Sequence, residues 1–260
     1  MTQLIINYFK FGFLSTHSLR SFDRYLHCGF SCFCFLFISS LFFLAWPQID
    51  VIVSNYFYDG FGYFPLNDNG LVNAVYVSVP WIGRAIFLTA VIVVLIAIFA
   101  PTYISRRHWR RAASVTAIVV LGIGFLVHAV LKDGMGRPRP RDIQTFSGPT
   151  SFVPAFTSSH FCSTNCSFVS GHAAVGFSLM SLGMLGIRRR RNFWFYSGLV
   201  AGFSIGFVRI AQGGHFLSDV IFSFFAIWAI HLLIRSVWLR FRYWQLLFKS
   251  NRNPLFKVIP

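Results

Sequence analysis

The sequence predicts an all-α integral membrane protein of six transmembrane helices. Three observations predict it. Of 260 residues, 55% are hydrophobic and only 12% charged, against roughly 25% charged in an ordinary soluble domain. The apolar residues gather in runs of membrane-spanning length, and the charges fall between the runs with a strong bias in sign.

The first run, Cys28–Trp46, is rich in Phe and free of charge, and a helix needs about 20 apolar residues to cross roughly 30 Å of hydrocarbon. It is longer than the apolar core of a signal peptide and lacks a small-x-small cleavage site, so it reads as a retained helix. Five more runs follow: Ile82–Ala100 with Arg84 near its outer end, Ala112–Leu131, Ser170–Ile187, Phe193–Ile210 and Ser218–Trp238.

Orientation follows from the loops. Arg106, Arg107, Arg110 and Arg111 lie between the second and third runs, and Arg188, Arg189, Arg190 and Arg191 between the fourth and fifth. Lys10, Arg20 and Arg24 precede the first run, and Arg240, Arg242, Lys249, Arg252 and Lys257 follow the sixth, where Arg235 also lies; only Asp23 opposes them. This is the positive-inside pattern, with both termini cytoplasmic, as an even number of spans requires. A net charge of +16 would suggest nucleic-acid binding in a soluble protein; here it is distributed as topology demands, and nucleic acid is excluded as a partner.

The outer side holds basic residues that topology does not call for: Lys132, Arg137, Arg139, Arg141 and Arg209. Lys132 ends the third run and leads into Asp133-Gly134-Met135-Gly136-Arg137-Pro138-Arg139-Pro140, whose Gly and Pro break the helix. Lys supplies a point charge and Arg a planar fork, a pair suited to a phosphate dianion. Val169-Ser170-Gly171-His172 opens the fourth run, where Ser170 fits a helix N-cap and the free amides of a helix start favour an anion. Arg209 ends the fifth run, and His215 and Asp219 stand four residues apart where the sixth begins. On one helix face the carboxylate would fix the imidazole tautomer, as for a nucleophilic or basic histidine.

These three segments resemble the signature of the type 2 phosphatidic acid phosphatase superfamily: Lys, six residues, Arg-Pro; Ser-Gly-His; Arg, five residues, His, three residues, Asp. Two positions depart from it, Val169 where the family has Pro and Val208 where it has Ser. The missing Ser hydroxyl touches the phosphate geometry and not the catalytic set. The resemblance implies catalysis by His215 as nucleophile through a phosphohistidine, with Asp219 orienting it and His172 protonating the leaving oxygen. It implies phosphate binding by Lys132, Arg139, Arg209, Ser170 and Gly171, with no metal and no cofactor. With no Glu and only scattered Asp, the sequence offers no carboxylate cluster for a two-metal site.

A site at the lipid boundary of a bacterial inner membrane, on its periplasmic face, favours a lipid phosphate as substrate, and no protein partner is expected. The wording Asn165-Cys166-Ser167-Phe168-Val169-Ser170-Gly171 is most similar to the bacterial lipid A phosphatases, with the 4′-phosphate slightly preferred over the 1-phosphate. A phosphatase of undecaprenyl diphosphate or phosphatidylglycerol phosphate is the alternative. A non-enzymatic lipid-binding or transport protein is remote, because transport does not require the two histidines.

The remaining residues fit one domain: a cytoplasmic segment 1–27, the bundle 28–238 and a basic cytoplasmic tail 239–260. His128 reads as an interhelical packing residue and His231 as too deep for the site. Cys162 and Cys166 with His160 fall short of a zinc pattern, and a disulfide or two thiols are equally compatible with their spacing. Cys28, Cys32 and Cys34 read as small apolar residues. The outer loop Pro47–Pro80 is expected to carry a short interfacial helix near Asn55–Phe64 or Asn69–Ser78.

Overall fold

The computed structural model describes residues 29–251, so the segment 1–27 and the end of the basic tail lie outside the described residues. The chain groups into two compact units, Met1–Ala45 and Trp46–Pro260. The described part of the first is one helix, α1 (Gly29–Ala45).

The second unit begins with α2 (Gln48–Asn55). It is the short helix of the Pro47–Pro80 stretch and lies earlier than the expected Asn55–Phe64, while the other expected position, Asn69–Ser78, is helical as the start of the next, longer helix. α3 (Gly70–Phe99) starts at Gly70 rather than Ile82, because the Asn69 side chain caps it by accepting from the amides of Leu71 and Val72 at 3.0 and 3.2 Å, and the residues beyond are already apolar. Pro80 is absorbed inside it. α4 (Arg106–Ala117), capped by Ser105, continues in wider π-type turns over Ile118–Lys132 and ends in a short turn, α5 (Asp133–Met135). Gly136 then takes φ 61°, and a Cβ there would lie 2.0 Å from the Ser159 carbonyl, so only glycine lets the loop of residues 136–170 fold back here.

α6 (Gly171–Ser178) continues as a 3-10 segment, Leu179–Gly183. The expected fourth span, Ser170–Ile187, is thus two short pieces rather than one long helix. α7 (Arg188–Ala211) and α8 (Leu217–Asn251) complete the unit. Among the described residues four helices are long and apolar enough to cross a membrane, or five if Gly29–Ala45 and Gln48–Asn55 count together. Among the described residues there is no strand, only an isolated bridge between Ile143 and Thr150.

A face of glycines on α7 brings these elements together. Gly198, Gly202 and Gly206 recur every fourth residue and are buried, the small-residue spacing that lets membrane helices approach closely. A Cβ on Gly202 would meet the Phe177 ring of α6 at 2.2 Å, and one on Gly206 would meet Val220 of α8 at 2.3 Å. Large apolar side chains point outward instead, among them Leu88, Ile92, Val200 and Phe207. In lipid this is no burden, since hydrocarbon solvates them. The buried charged side chains Asp50, Lys132, Arg137, Arg209 and Asp219 gather at one end, where Phe64, Ile143, Phe146 and Phe216 form a buried apolar cluster.

Candidate active site

His215 sits in the turn between α7 and α8, before the first residue of α8. The turn is built by two glycines. Gly213 has φ 62° and lies against the Phe64 ring, and Gly214 leaves room for the Arg209 guanidinium, which a Cβ would meet at 2.3 Å. His215 is 1% exposed. Its Nδ1 donates to the Ser167 carbonyl at 2.8 Å and stands 3.5 Å from Asp219 Oδ2. A carbonyl can only accept, so Nδ1 carries the proton and Nε2 keeps its lone pair. The expected shared helix face is therefore replaced by a turn, in which a backbone carbonyl makes the closer contact and Asp219 supports from one side. Burial pushes the His215 imidazole down to about 3; Asp219 opposes this, while Arg209 and Lys132 add to it.

Asp219 is fully buried and saturated with donors. Oδ2 accepts from the Ser167 hydroxyl at 2.5 Å and the Phe216 amide at 2.8 Å, and Oδ1 from Arg137 Nη1 at 2.6 Å. Arg137 is 1% exposed and also donates from Nη1 to the Ser218 hydroxyl, from Nη2 to Asp50 Oδ2 and from Nε to the Val153 carbonyl, each at 2.8 Å. Its guanidinium lies 4.3 Å over the Phe216 ring. Asp50 closes the network by accepting from the Ser218 amide and hydroxyl. One arginine between two carboxylates keeps their buried charges paired.

The other expected site residues fall around this centre. Ser170 caps α6 by accepting from the Ala173 amide, and its own N–H donates to the Asp219 carbonyl at 3.2 Å. Ser170 therefore ties α6 to α8, and the amides of Gly171 and His172 are left as first-turn donors. Lys132 is 4% exposed, and a Cβ on Gly171 would sit 4.0 Å from its Nζ and 3.2 Å from His128 Nε2. His128 is thus a packing neighbour of the site. Arg209, also 4% exposed, lies 4.5 Å over the Tyr76 ring and donates to the Gln212 side chain. His172 stacks on the same ring at 5.0 Å, with Nε2 3.2 Å from the Tyr76 carbonyl. Arg139 is half-buried and donates to the Asn165 carbonyl at 2.7 Å. Cys162 and Cys166 form a disulfide in the covering loop.

His172, Gly171 and Lys132 stand at the polar end of a cavity of about 480 Å³. Its remaining wall is mostly apolar, formed by α3, the π-type segment, α6 and α7 through residues such as Val79, Ile86, Ile123, Val175 and Ile205. Arg84 lines it too, 5.0 Å from the Trp81 ring. A basic, histidine-bearing pole on an apolar slot can hold a phosphate whose attached group is a hydrocarbon.

The sequence reading did not single out Asp50, Ser167, Ser218, Gln212 or Tyr76, and left Arg137 without a role. An acid in an apolar stretch, Asp50, was the available signal. Nothing in residue spacing joins it to positions 137 and 219.

The PAP2 superfamily model matches residues 113–243, a stretch that contains Lys132, Arg139, Ser170, Gly171, His172, Arg209, His215 and Asp219. The chain belongs to the PAP2 superfamily. It is 31% identical over 207 residues to the lipid A 4′-phosphatase of Francisella tularensis subsp. novicida (strain U112), covering 76% of this chain and 91% of that protein. It is 30% identical over 195 residues to the lipid A 4′-phosphatase of Rhizobium etli, covering 68% of this chain and 74% of that protein. The protein of that name from Rhizobium leguminosarum is 29% identical over 195 residues, covering 69% and 82%. No solved structure matches the chain. As a member of the PAP2 superfamily with these relatives, the chain is a membrane-embedded phosphoric monoester hydrolase. Asp50 and Tyr76 lie outside the family segment and reach its site from α2 and α3.

Proposed function

We propose that this PAP2 phosphatase removes the 4′-phosphate of lipid A at the periplasmic face of the bacterial inner membrane, through a phosphohistidine on His215. The observation that carries the lipid reading is the apolar cavity ending at Lys132, Gly171 and His172. The similarity to three lipid A 4′-phosphatases supports the choice of lipid and position. In this reading the chain spans the membrane six times. α1 and the short α6 segment each count as one span beside the four of the long helices, and the arginine-rich starts of α4 and α7 face the cytoplasm.

The Nε2 lone pair of His215 attacks phosphorus while Lys132, Arg139, Arg209 and the amides of Gly171 and His172 hold the phosphoryl oxygens. Donors placed where charge develops contribute about 3–4 kcal/mol each in comparable sites. The P–O bond to the sugar breaks, and His172 gives its proton to the leaving oxygen. Asp219 stabilises the positive charge that the phosphorylated ring acquires. His172 then takes a proton from water, which attacks phosphorus and releases inorganic phosphate and neutral His215.

Purified protein is incubated in detergent with bisphosphorylated lipid A, and the product is mapped by mass spectrometry. Loss of the 4′-phosphate, abolished in His215→Ala, is the expected result. Loss of the 1-phosphate alone overturns the positional assignment. Inertness on lipid A with turnover of undecaprenyl diphosphate or phosphatidylglycerol phosphate overturns the choice of lipid.

A further inference from the structure

A second polar cavity lies at the other end of the long helices. Its volume is about 500 Å³, and its lining includes Arg106, Arg107 and Arg110 of α4, Arg191 of α7, and Arg235 and Trp238 of α8. Arg235 stands about 27 Å along α8 from Leu217 at 1.5 Å per residue, close to the thickness of the hydrocarbon. The cavity is therefore separated from the His215 site by most of a membrane.

Charge retention on one side of a membrane requires only that basic residues lie in the loops. It does not require three helices to turn arginines into one cavity. Among the described residues no acidic side chain lines this one, and the guanidinium groups of Arg106, Arg107, Arg110 and Arg191 repel one another until an anion joins them. A donor is also left over. Nε of Arg110, a lining residue, is buried with no hydrogen-bond partner among the described residues. Trp238 braces the wall, donating from Nε1 to the Ser114 hydroxyl at 2.9 Å while the Arg110 guanidinium lies 5.8 Å from its ring. Planar forks lining one cavity match the oxygens of a phosphate.

The source of that phosphate follows from the rest of the wall. Met184, Leu185 and Leu239 are apolar, and with Trp238 they place the cavity at headgroup level, where an aromatic belt forms. A free anion has no use for such a wall, whereas the glycerol and first methylenes of a lipid do. We infer that the arginine cavity binds the phosphate of an anionic phospholipid headgroup in the leaflet opposite the catalytic site.

The test uses the full-length protein, delipidated in nonionic detergent, with phosphatidylglycerol or phosphatidylcholine added and retention read by native mass spectrometry. Wild type is expected to retain phosphatidylglycerol preferentially. The triple variant Arg107→Gln/Arg110→Gln/Arg191→Gln is expected to bind it on the order of 100-fold more weakly, taking about 1 kcal/mol for each basic residue near a lipid phosphate. Its phosphatase activity is expected to persist, which also shows that the variant folds. Equal retention of the two lipids by wild type, a measurement needing no variant, overturns the proposal. Undiminished binding by the folded variant overturns the location, and displacement of the lipid by inorganic phosphate at equal concentration overturns the lipid source in favour of a free anion.

Discussion

Arg137 Nη1 lies 2.6 Å from Asp219 Oδ1, with both side chains sealed from solvent, and the same guanidinium reaches Asp50 at 2.8 Å. The carboxylate that supports His215 is therefore itself held by an arginine from a different segment. Its geometry is set by α2 and the 136–170 loop as much as by its own helix. Removing the arginine strands two buried carboxylates, a loss of about 3–5 kcal/mol in comparable settings. Arg137→Ala is expected to lower the unfolding temperature sharply. Arg137→Lys retains the charge but not the fork, and should cut kcat on the order of 100-fold by misplacing Asp219. KM should change little, since Arg137 meets no substrate. A KM rise with unchanged kcat would assign Arg137 to substrate binding instead.

The depressed His215 value sets a pH dependence. Unfolded, the ring titrates near 6.5; folded, burial holds it to about 3. Between these values the unfolded chain binds a proton that the folded chain does not, so this group's contribution to stability is intact above pH 6.5 and lost as pH falls towards 3. Relative to His215→Gln, wild type should lose up to about 1.4 kcal/mol per pH unit in that window. Imidazole nitrogen NMR should show His215 as the Nδ1–H tautomer from pH 5 to 8. A titration midpoint near 6.5 would contradict the buried placement.

The α6–α7 crossing leaves no space at Gly202, whose Cβ would meet the Phe177 ring at 2.2 Å. Gly202→Ala should destabilise by about 1–3 kcal/mol through overpacking. It should also reduce activity, because α6 carries His172 and is capped by Ser170. Thermal unfolding and turnover, measured together, check this; an alanine variant as stable as wild type would mean the helices do not approach so closely.

Filling the apolar cavity should separate lipid from soluble substrates. Ile123 lines it away from the phosphate-binding residues, and Ile123→Trp is expected to raise KM for lipid A roughly tenfold, about 1.4 kcal/mol of lost binding. Hydrolysis of a soluble phosphomonoester should stay near the wild-type rate. Equal losses on both substrates would show that the cavity does not hold the lipid.

Much of the candidate site's geometry was legible in the sequence because its residues sit in local motifs. Ser170 is the helix cap that its position suggested, and His215 and Asp219 meet across a single turn. The Arg137 network was not legible, since its partners at positions 50, 153, 218 and 219 come together only through the tertiary fold. Helix limits were misjudged where capping outweighed hydropathy, as at Asn69. The continuous apolar run after Ser170 gave no sign that it would break into α6 and a 3-10 segment against the glycines of α7. That glycine face lay in the sequence with its four-residue spacing, a signal the hydrophobic count passed over.

The proposed mechanism turns on His215 as the nucleophile. Its most direct test is to quench single-turnover reactions on bisphosphorylated lipid A at alkaline pH, where phosphohistidine survives, and to map the modified peptide by mass spectrometry. Phosphate on His215 in wild type, absent in His215→Asn and accumulating in His172→Asn, where the water step is slowed, is the expected result. Full turnover by His215→Asn, or phosphate carried on another residue, would contradict it.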